Sequence, residues 1–191
     1  QAIVNTMGVS VSAAFAVVNR IDDFAYTPEQ NIAHAMTALM AQNKGAGKID
    51  RMKEGFRSGI ILEIIYGILI FIICFMFARP LMLMFVKDEE VIGHGVTYMH
   101  LISVMYLLPA ITNGIQGFFR GIGDLKITLI SSFINMALRV LAAAPLVLIW
   151  KMGIEALPYS YLAGWIGMLV AETPLLLKTY KTWGKKGETP C

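Results

Sequence analysis

The sequence predicts an all-α, multi-pass membrane protein, and three observations predict it. The 191 residues are 57% hydrophobic and only 15% charged, against about 45–50% apolar and 25% charged in an ordinary soluble domain. The apolar excess is gathered into runs long enough to cross a bilayer, which takes about 20 mostly apolar residues per helix. Those runs are continuous, unlike the alternating segments of roughly 10 residues in a membrane β-barrel.

Five complete spans and a stub follow along the chain, in one domain over 1–191. Residues 1–9 read as the end of a truncated helix and a turn at Gly8. The chain opens on Gln1, apolar material begins abruptly and no signal-peptide pattern is visible, so a fragment is expected. The first full helix covers about 10–42. At roughly 1.5 Å per residue it exceeds the roughly 30 Å hydrocarbon core. Its polar first half therefore lies at the outer boundary or in a protein-lined cavity. Pro28 removes a backbone donor and is expected to bend it. A loop at 43–54, broken by Gly45 and Gly47, leads to a second helix at about 56–78, stopped by Arg79 and Pro80. Residues 81–92 form a charged loop with one apolar shoulder. A third helix covers about 93–119 and contains a second bending position, Pro109. After a tight turn at 120–126, a fourth helix covers about 127–150 and a fifth about 158–177. The basic tail at 178–191 is expected to be poorly ordered.

Orientation follows from the basic residues. One side of the segmentation holds Lys44, Lys48, Arg51, Lys53, Arg57, Arg120, Lys126, Lys178, Lys181, Lys185 and Lys186. The other holds only Arg79, Lys87 and Lys151. The first set is assigned to the cytoplasm, which places the C-terminus there. Trp150 and Trp183 fall near interfaces, and Trp165 falls inside the fifth helix.

The polar residues inside these runs carry the functional information, because a charge at a helix centre costs about 3 kcal/mol by insertion scales. Arg139 is midway along the fourth helix, too deep to snorkel, and needs a partner such as Asn135, Glu172 or Glu63. It is either a cavity residue that senses substrate or coupling ion, or a brace between helices. The cluster Asn19, Arg20, Asp22 and Asp23 is either the mouth of a cation-attracting cavity or an interfacial cap, and Arg20 can pair with Asp23 three residues on. Glu63 and Glu172, near cytoplasmic helix ends, either reach the headgroups or stay buried as proton carriers. Asn113 and Gln116 are structural glue or substrate contacts. His34, among small residues, reads as a packed hydrogen-bonding side chain. Ala33, Thr37 and Ala41, with Gly114, Gly117 and Gly121, allow close helix approach.

Other classes are disfavoured. The net charge of +3 and the lack of a basic stripe give no case for nucleic acid. Cys74 and Cys191 have neither metal-ligand spacing nor a reason to pair, and His34, His94 and His100 share no ligand spacing. No catalytic set emerges, and the turn Gly121-Ile122-Gly123-Asp124 lacks the strand context of a nucleotide fingerprint. An enzyme is not expected, nor any cofactor beyond a coupling ion.

Two stretches carry a resemblance. The first runs from Ala13-Ala14-Phe15 through Asn19-Arg20-Ile21, Phe24 and Pro28 to Gln42-Asn43-Lys44-Gly45-Ala46-Gly47-Lys48 and Arg51. It resembles the eighth helix and following loop of multidrug and toxic compound extrusion (MATE) transporters. The second, Gln116-Gly117-Phe118-Phe119-Arg120-Gly121-Ile122-Gly123-Asp124-Leu125-Lys126, resembles the end of the tenth helix. The resemblance implies the second lobe of a twelve-helix protein, with the N-terminal lobe as missing partner and the bilayer as surroundings. It also implies H+- or Na+-coupled antiport of organic cations or amphipaths by alternating access between two repeats. One branch of the family carries an acid where Asn113 stands here, so that branch's cation site does not transfer. The cavity candidates are Asn19, Arg20, Asp23, Asn113, Gln116, Arg139 and Glu172. A lipid-linked oligosaccharide flippase of the same superfamily is the alternative.

Overall fold

A computed structural model describes Val4 and residues 7–186. Seven helices account for nearly all of the described residues: α1 (Val9–Gly45), α2 (Ile49–Met76), α3 (Ala78–Leu83), α4 (Glu89–Ser103), α5 (Leu107–Gly121), α6 (Leu125–Leu148) and α7 (Ala156–Lys186).

Glycines set two of the helix ends. Gly47 (φ 69°) and Gly123 (φ 83°) take the left-handed conformation just past α1 and α5. At the first, Lys48 N–H donates to the Asn43 carbonyl and Gly47 N–H to the Lys44 carbonyl. At the second, Asp124 N–H donates to Phe119 and Gly123 N–H to Arg120. These are the paired bonds of a Schellman cap, which satisfy carbonyls that the helix leaves orphaned. Asp88 caps the start of α4 by accepting from Glu90 N–H and Val91 N–H.

Several boundaries differ from the sequence reading, among them the starts of α2 at Ile49 and α4 at Glu89, both inside stretches read as loops. The third predicted helix, 93–119, is two helices, α4 and α5, meeting at a 51° bend. The bend falls at 104–106, ahead of Pro109. That proline is the third residue of α5; it has no N–H for the Met105 carbonyl four residues back and its ring crowds it, so the bend lies where a proline at 109 puts one. Arg79 and Pro80 do not stop the chain either; they form the first turn of the short helix α3. The tail from Lys178 continues as helix to Lys186, and 187–191 lie outside the described residues. The Pro28 position is inside α1, which runs through it.

Among the described residues, three helices are long and apolar enough to cross a membrane: α2, α6 and Ala156–Thr182 of α7. The bent pair α4–α5 makes a fourth crossing if taken as one span. α1 is long enough at 37 residues but too polar to qualify by composition. One face of it is covered by protein, packed on α2, α4 and α5, and the other is exposed. The outside of the bundle is apolar: Ile65, Ile68 and Leu69 on α2 and Leu129, Phe133 and Leu141 on α6 are all exposed. A soluble fold would hide such rows, whereas lipid tails solvate them.

Two cores lie at opposite ends. One gathers Phe15, Val18, Ile92, Tyr98, Ile102, Tyr106, Ile154 and Leu157. The other gathers Met40, Met52, Ile115, Phe118 and Phe119. The second end collects the basic loops. Lys44 Nζ donates to the Ile122 carbonyl, and Tyr180 Oη approaches the Lys53 carbonyl at 3.5 Å. The loop after α1, the turn after α5 and the last turns of α7 therefore share one end, as the segmentation requires. α6 and α7 form the most extensive helix pair, and α5 links them to α1 and α2.

Candidate functional site

The buried face of α1 follows helical spacing through Val18, Ile21, Ala25, Ala33, Met36 and Met40. Asp22 and Glu29 occupy positions on this same face and are buried with it. They carry two of the four buried carboxylates among the described residues; Glu63 on α2 and Glu172 on α7 are the others. These four acids belong to three clusters.

Nearest the α4–α5 bend, Tyr106 Oη donates to Asp22 Oδ1 at 2.5 Å. Tyr106 stands edge-on to Tyr26, with centroids 5.5 Å apart. On the same side the Arg139 guanidinium lies 3.6 Å from the centroid of the Tyr161 ring. A guanidinium over an aromatic face is attracted by the ring quadrupole. This replaces the carboxylate or amide partner expected for Arg139, since a flat delocalised cation stacks well on an aromatic plane. Gly164 makes room for it: a Cβ there would fall 2.6 Å from Arg139 Cγ.

Midway along α1, Glu29 and Glu63 are both 0% exposed. They lie within electrostatic range of each other. Asn113 on α5 stands beside Glu29, yet none of the four carboxylate oxygens meets a donor at hydrogen-bonding geometry. Close helix approach builds this junction. A Cβ on Gly114 would sit 2.5 Å from Ile60 Cδ1 and 3.6 Å from Glu63 Cγ, and one on Gly117 would sit 2.6 Å from the Ala33 carbonyl oxygen. Tyr66 Oη ties α2 to α1 by donating to the Ala25 carbonyl at 3.1 Å.

The third cluster joins α5, α6 and α7. Ser131 Oγ donates to Glu172 Oε1 at 2.5 Å, and Gln116 Nε2 donates to the same oxygen at 3.3 Å. Gln116 also reaches Ser132 Oγ at 3.3 Å. Glu172 Oε2 has no donor, although Arg120 lies within electrostatic range.

Of the residues singled out in the sequence, Gln116 and Glu172 meet directly, and Asn113 stands beside Glu29. Arg139 sits with Tyr161. Arg20 and Asp23 are exposed and Asn19 half-buried; no Arg20–Asp23 ion pair forms among the described residues. Three residues apart on a helix they are able to meet, but water solvates both and leaves little gain in pairing. His34 is exposed rather than packed. Glu63 and Glu172 are inside the protein, not at the headgroups. Sequence reasoning passed over Glu29, and read Asp22 only as part of the Asn19–Asp23 cluster. The available signal was their register: both fall on the apolar stripe of α1, where a carboxylate is costly.

The MatE family profile matches residues 1–144. The chain belongs to the MatE family. It is 30% identical over 190 residues to the probable multidrug resistance protein YoeA of Bacillus subtilis, covering 96% of this chain and 39% of that protein. It is 25% identical over 163 residues to the probable multidrug resistance protein NorM of Thermotoga maritima, covering 85% and 34%. The solved structure of a MATE in the bent conformation has a similar fold, with a TM-score of 0.88 at 16% identity over 95% of this chain and 40% of that one. An outward-facing multidrug resistance MATE family transporter gives 0.86 at 16% identity, over 93% and 40%. The MatE chain thus spans about two fifths of the length of these relatives, as one lobe of a transporter does. MATE transporters are integral membrane proteins, and the apolar outer rows described above belong against lipid.

Proposed function

We propose that the protein carrying this chain is a secondary active efflux transporter. It exchanges an inward-moving cation, H+ or Na+, for an organic cation or amphipath. The observation that carries this reading is the family match, with its relatives named for multidrug resistance. The buried acids support the cationic side of it: Glu29, Glu63 and Glu172 lie inside the helices with no Lys or Arg ion pair among the described residues. Such an interior attracts cations and repels a pyrophosphate-bearing lipid. Alternating access between two lobes then carries substrate and coupling ion in opposite directions. The protein resides in the cytoplasmic membrane with its C-terminus inside, a reading that rests on the basic end of the bundle.

The test is dye export by the full-length protein in inverted vesicles under an imposed proton or sodium gradient. Gradient-dependent movement of a cationic dye, reduced by Arg139→Ala, is the expected result. Lack of movement under either gradient, with the protein shown to be folded, turns the assignment towards lipid-linked oligosaccharide flipping.

A further inference from the structure

We propose that the groove between α2 and α7, at the basic end of the bundle, is a binding site for one anionic phospholipid. An acyl chain lies along the groove, and the phosphate rests on Arg57 and Lys181. This goes beyond the efflux reading and does not depend on it.

The groove exists because α2 and α7 each pack on α5 rather than on one another. α5 forms its floor and the other two helices form its walls. Ile111 and Ile115 of α5, Ile60 of α2 and Leu176 of α7 line a space of about 450 Å³. The walls meet at the basic end through Tyr180 of α7. Its hydroxyl approaches the Lys53 carbonyl at 3.5 Å, and its ring lies 6.1 Å from that of Phe56.

Such a lining suits hydrocarbon. Water would find few partners for its hydrogen bonds there, and an empty space forfeits the dispersion contacts of its walls. The groove also opens towards lipid. Its exposed neighbours are Ile61, Ile65 and Leu177, which belong against acyl chains. α1, by contrast, exposes Arg20, Asp23, Asn31 and His34, a face that lipid does not solvate.

Charge selects the lipid. Arg57 lines the groove, is exposed, and has no carboxylate partner among the described residues. Lys181 follows Leu177 by one helical turn, on the same face of α7. Lys53, one turn before Arg57, adds a cation, with Asp50 at 4.0 Å from it. Glu54 lines the separate cleft between α1 and α2. The cations therefore stand towards the loops and the apolar residues deeper, in the order of headgroup and chain in a lipid. A basic pocket between membrane helices favours anionic headgroups, and a guanidinium offers paired donors to phosphate oxygens.

Native mass spectrometry of the full-length protein in detergent tests this, with dioleoyl phosphatidylglycerol and dioleoyl phosphatidylcholine as probes. The expected result is one phosphatidylglycerol retained at concentrations where phosphatidylcholine is not. R57Q/K181Q weakens that retention roughly tenfold. K48Q/K126Q removes the same charge from the same end but outside the groove, and leaves it within about twofold. All four side chains are exposed, so the fold is expected to survive, and unfolding midpoints without lipid check it. Equal weakening by the two double variants overturns the proposal, because it means diffuse attraction to the basic end. Equal retention of the two lipids overturns it as well, as when segments outside this chain cover the groove. Displacement of the lipid by glycerol phosphate at equal concentration also overturns it, because the chain then contributes nothing. If R57Q/K181Q does not fold, the wild-type comparison of the two lipids and glycerol phosphate still decides.

Discussion

Removing one hydroxyl, from Tyr106, leaves the buried Asp22 carboxylate without the donor it meets in the structure. Tyr106→Phe is expected to lower stability by about 1–3 kcal/mol, the cost of a buried unsatisfied polar group. Tyr66→Phe frees only a backbone carbonyl that already belongs to a helix, and is expected to cost under about 1 kcal/mol, as interhelical bonds in membranes do. Thermal unfolding in one detergent checks the order, and equal losses would mean that Asp22 finds water or another donor. Arg139 offers a second residue-scale test. Its stack on Tyr161 predicts a coupling of about 0.5–2 kcal/mol in a cycle of Arg139→Lys and Tyr161→Leu. Additive single effects would show that the contact carries no energy of its own.

The glycines act at the scale of the element, and they do not act alike. Gly117 faces the α1 backbone at a distance no Cβ tolerates. Gly117→Ala is therefore expected to push α5 from α1 and cost about 1–3 kcal/mol, as overpacking does. Gly93 in α4 has open space where a Cβ would go. Gly93→Ala is expected to be neutral or to gain up to about 1 kcal/mol through helix propensity. Unfolding midpoints of the two variants, measured side by side, decide it, and similar midpoints would contradict the close approach. The same stripe of small residues was visible in the sequence, because small side chains at four-residue spacing have one common use in a bilayer. The α4–α5 break was marked in the sequence by Pro109, since a proline crowds the carbonyl four residues back and the break falls at 104–106. Only its 51° angle and the Tyr106–Asp22 contact beside it needed the fold.

At the scale of the whole molecule, one lobe offers one wall of a cavity and one gate. The isolated 191-residue chain is expected to insert in liposomes and to leave a cationic dye where it is, under proton or sodium gradients alike. Ion-driven dye movement by the isolated chain would show that a single lobe suffices. Orientation is testable on the same scale. A cysteine placed at Gly47 is expected to be shielded from a membrane-impermeant reagent added to intact cells, and one placed at Lys151 to react. The reverse pattern would overturn the assignment of the basic end to the cytoplasm.

The sequence by itself determined the class, the clustering of basic loops at one end and the family. Each of these depends on composition along the chain, which hydropathy and local spacing record directly. It also showed which residues are costly to bury. Only the tertiary structure decided who meets whom. Gln116 found Glu172 across 56 positions, Arg139 found an aromatic ring instead of an acid, and Glu29 came within electrostatic range of Glu63. Those pairings depend on the rotation and depth of packed helices. A helix surrounded by lipid on one side and protein on the other shows a shallow difference between its faces, because both surroundings are apolar.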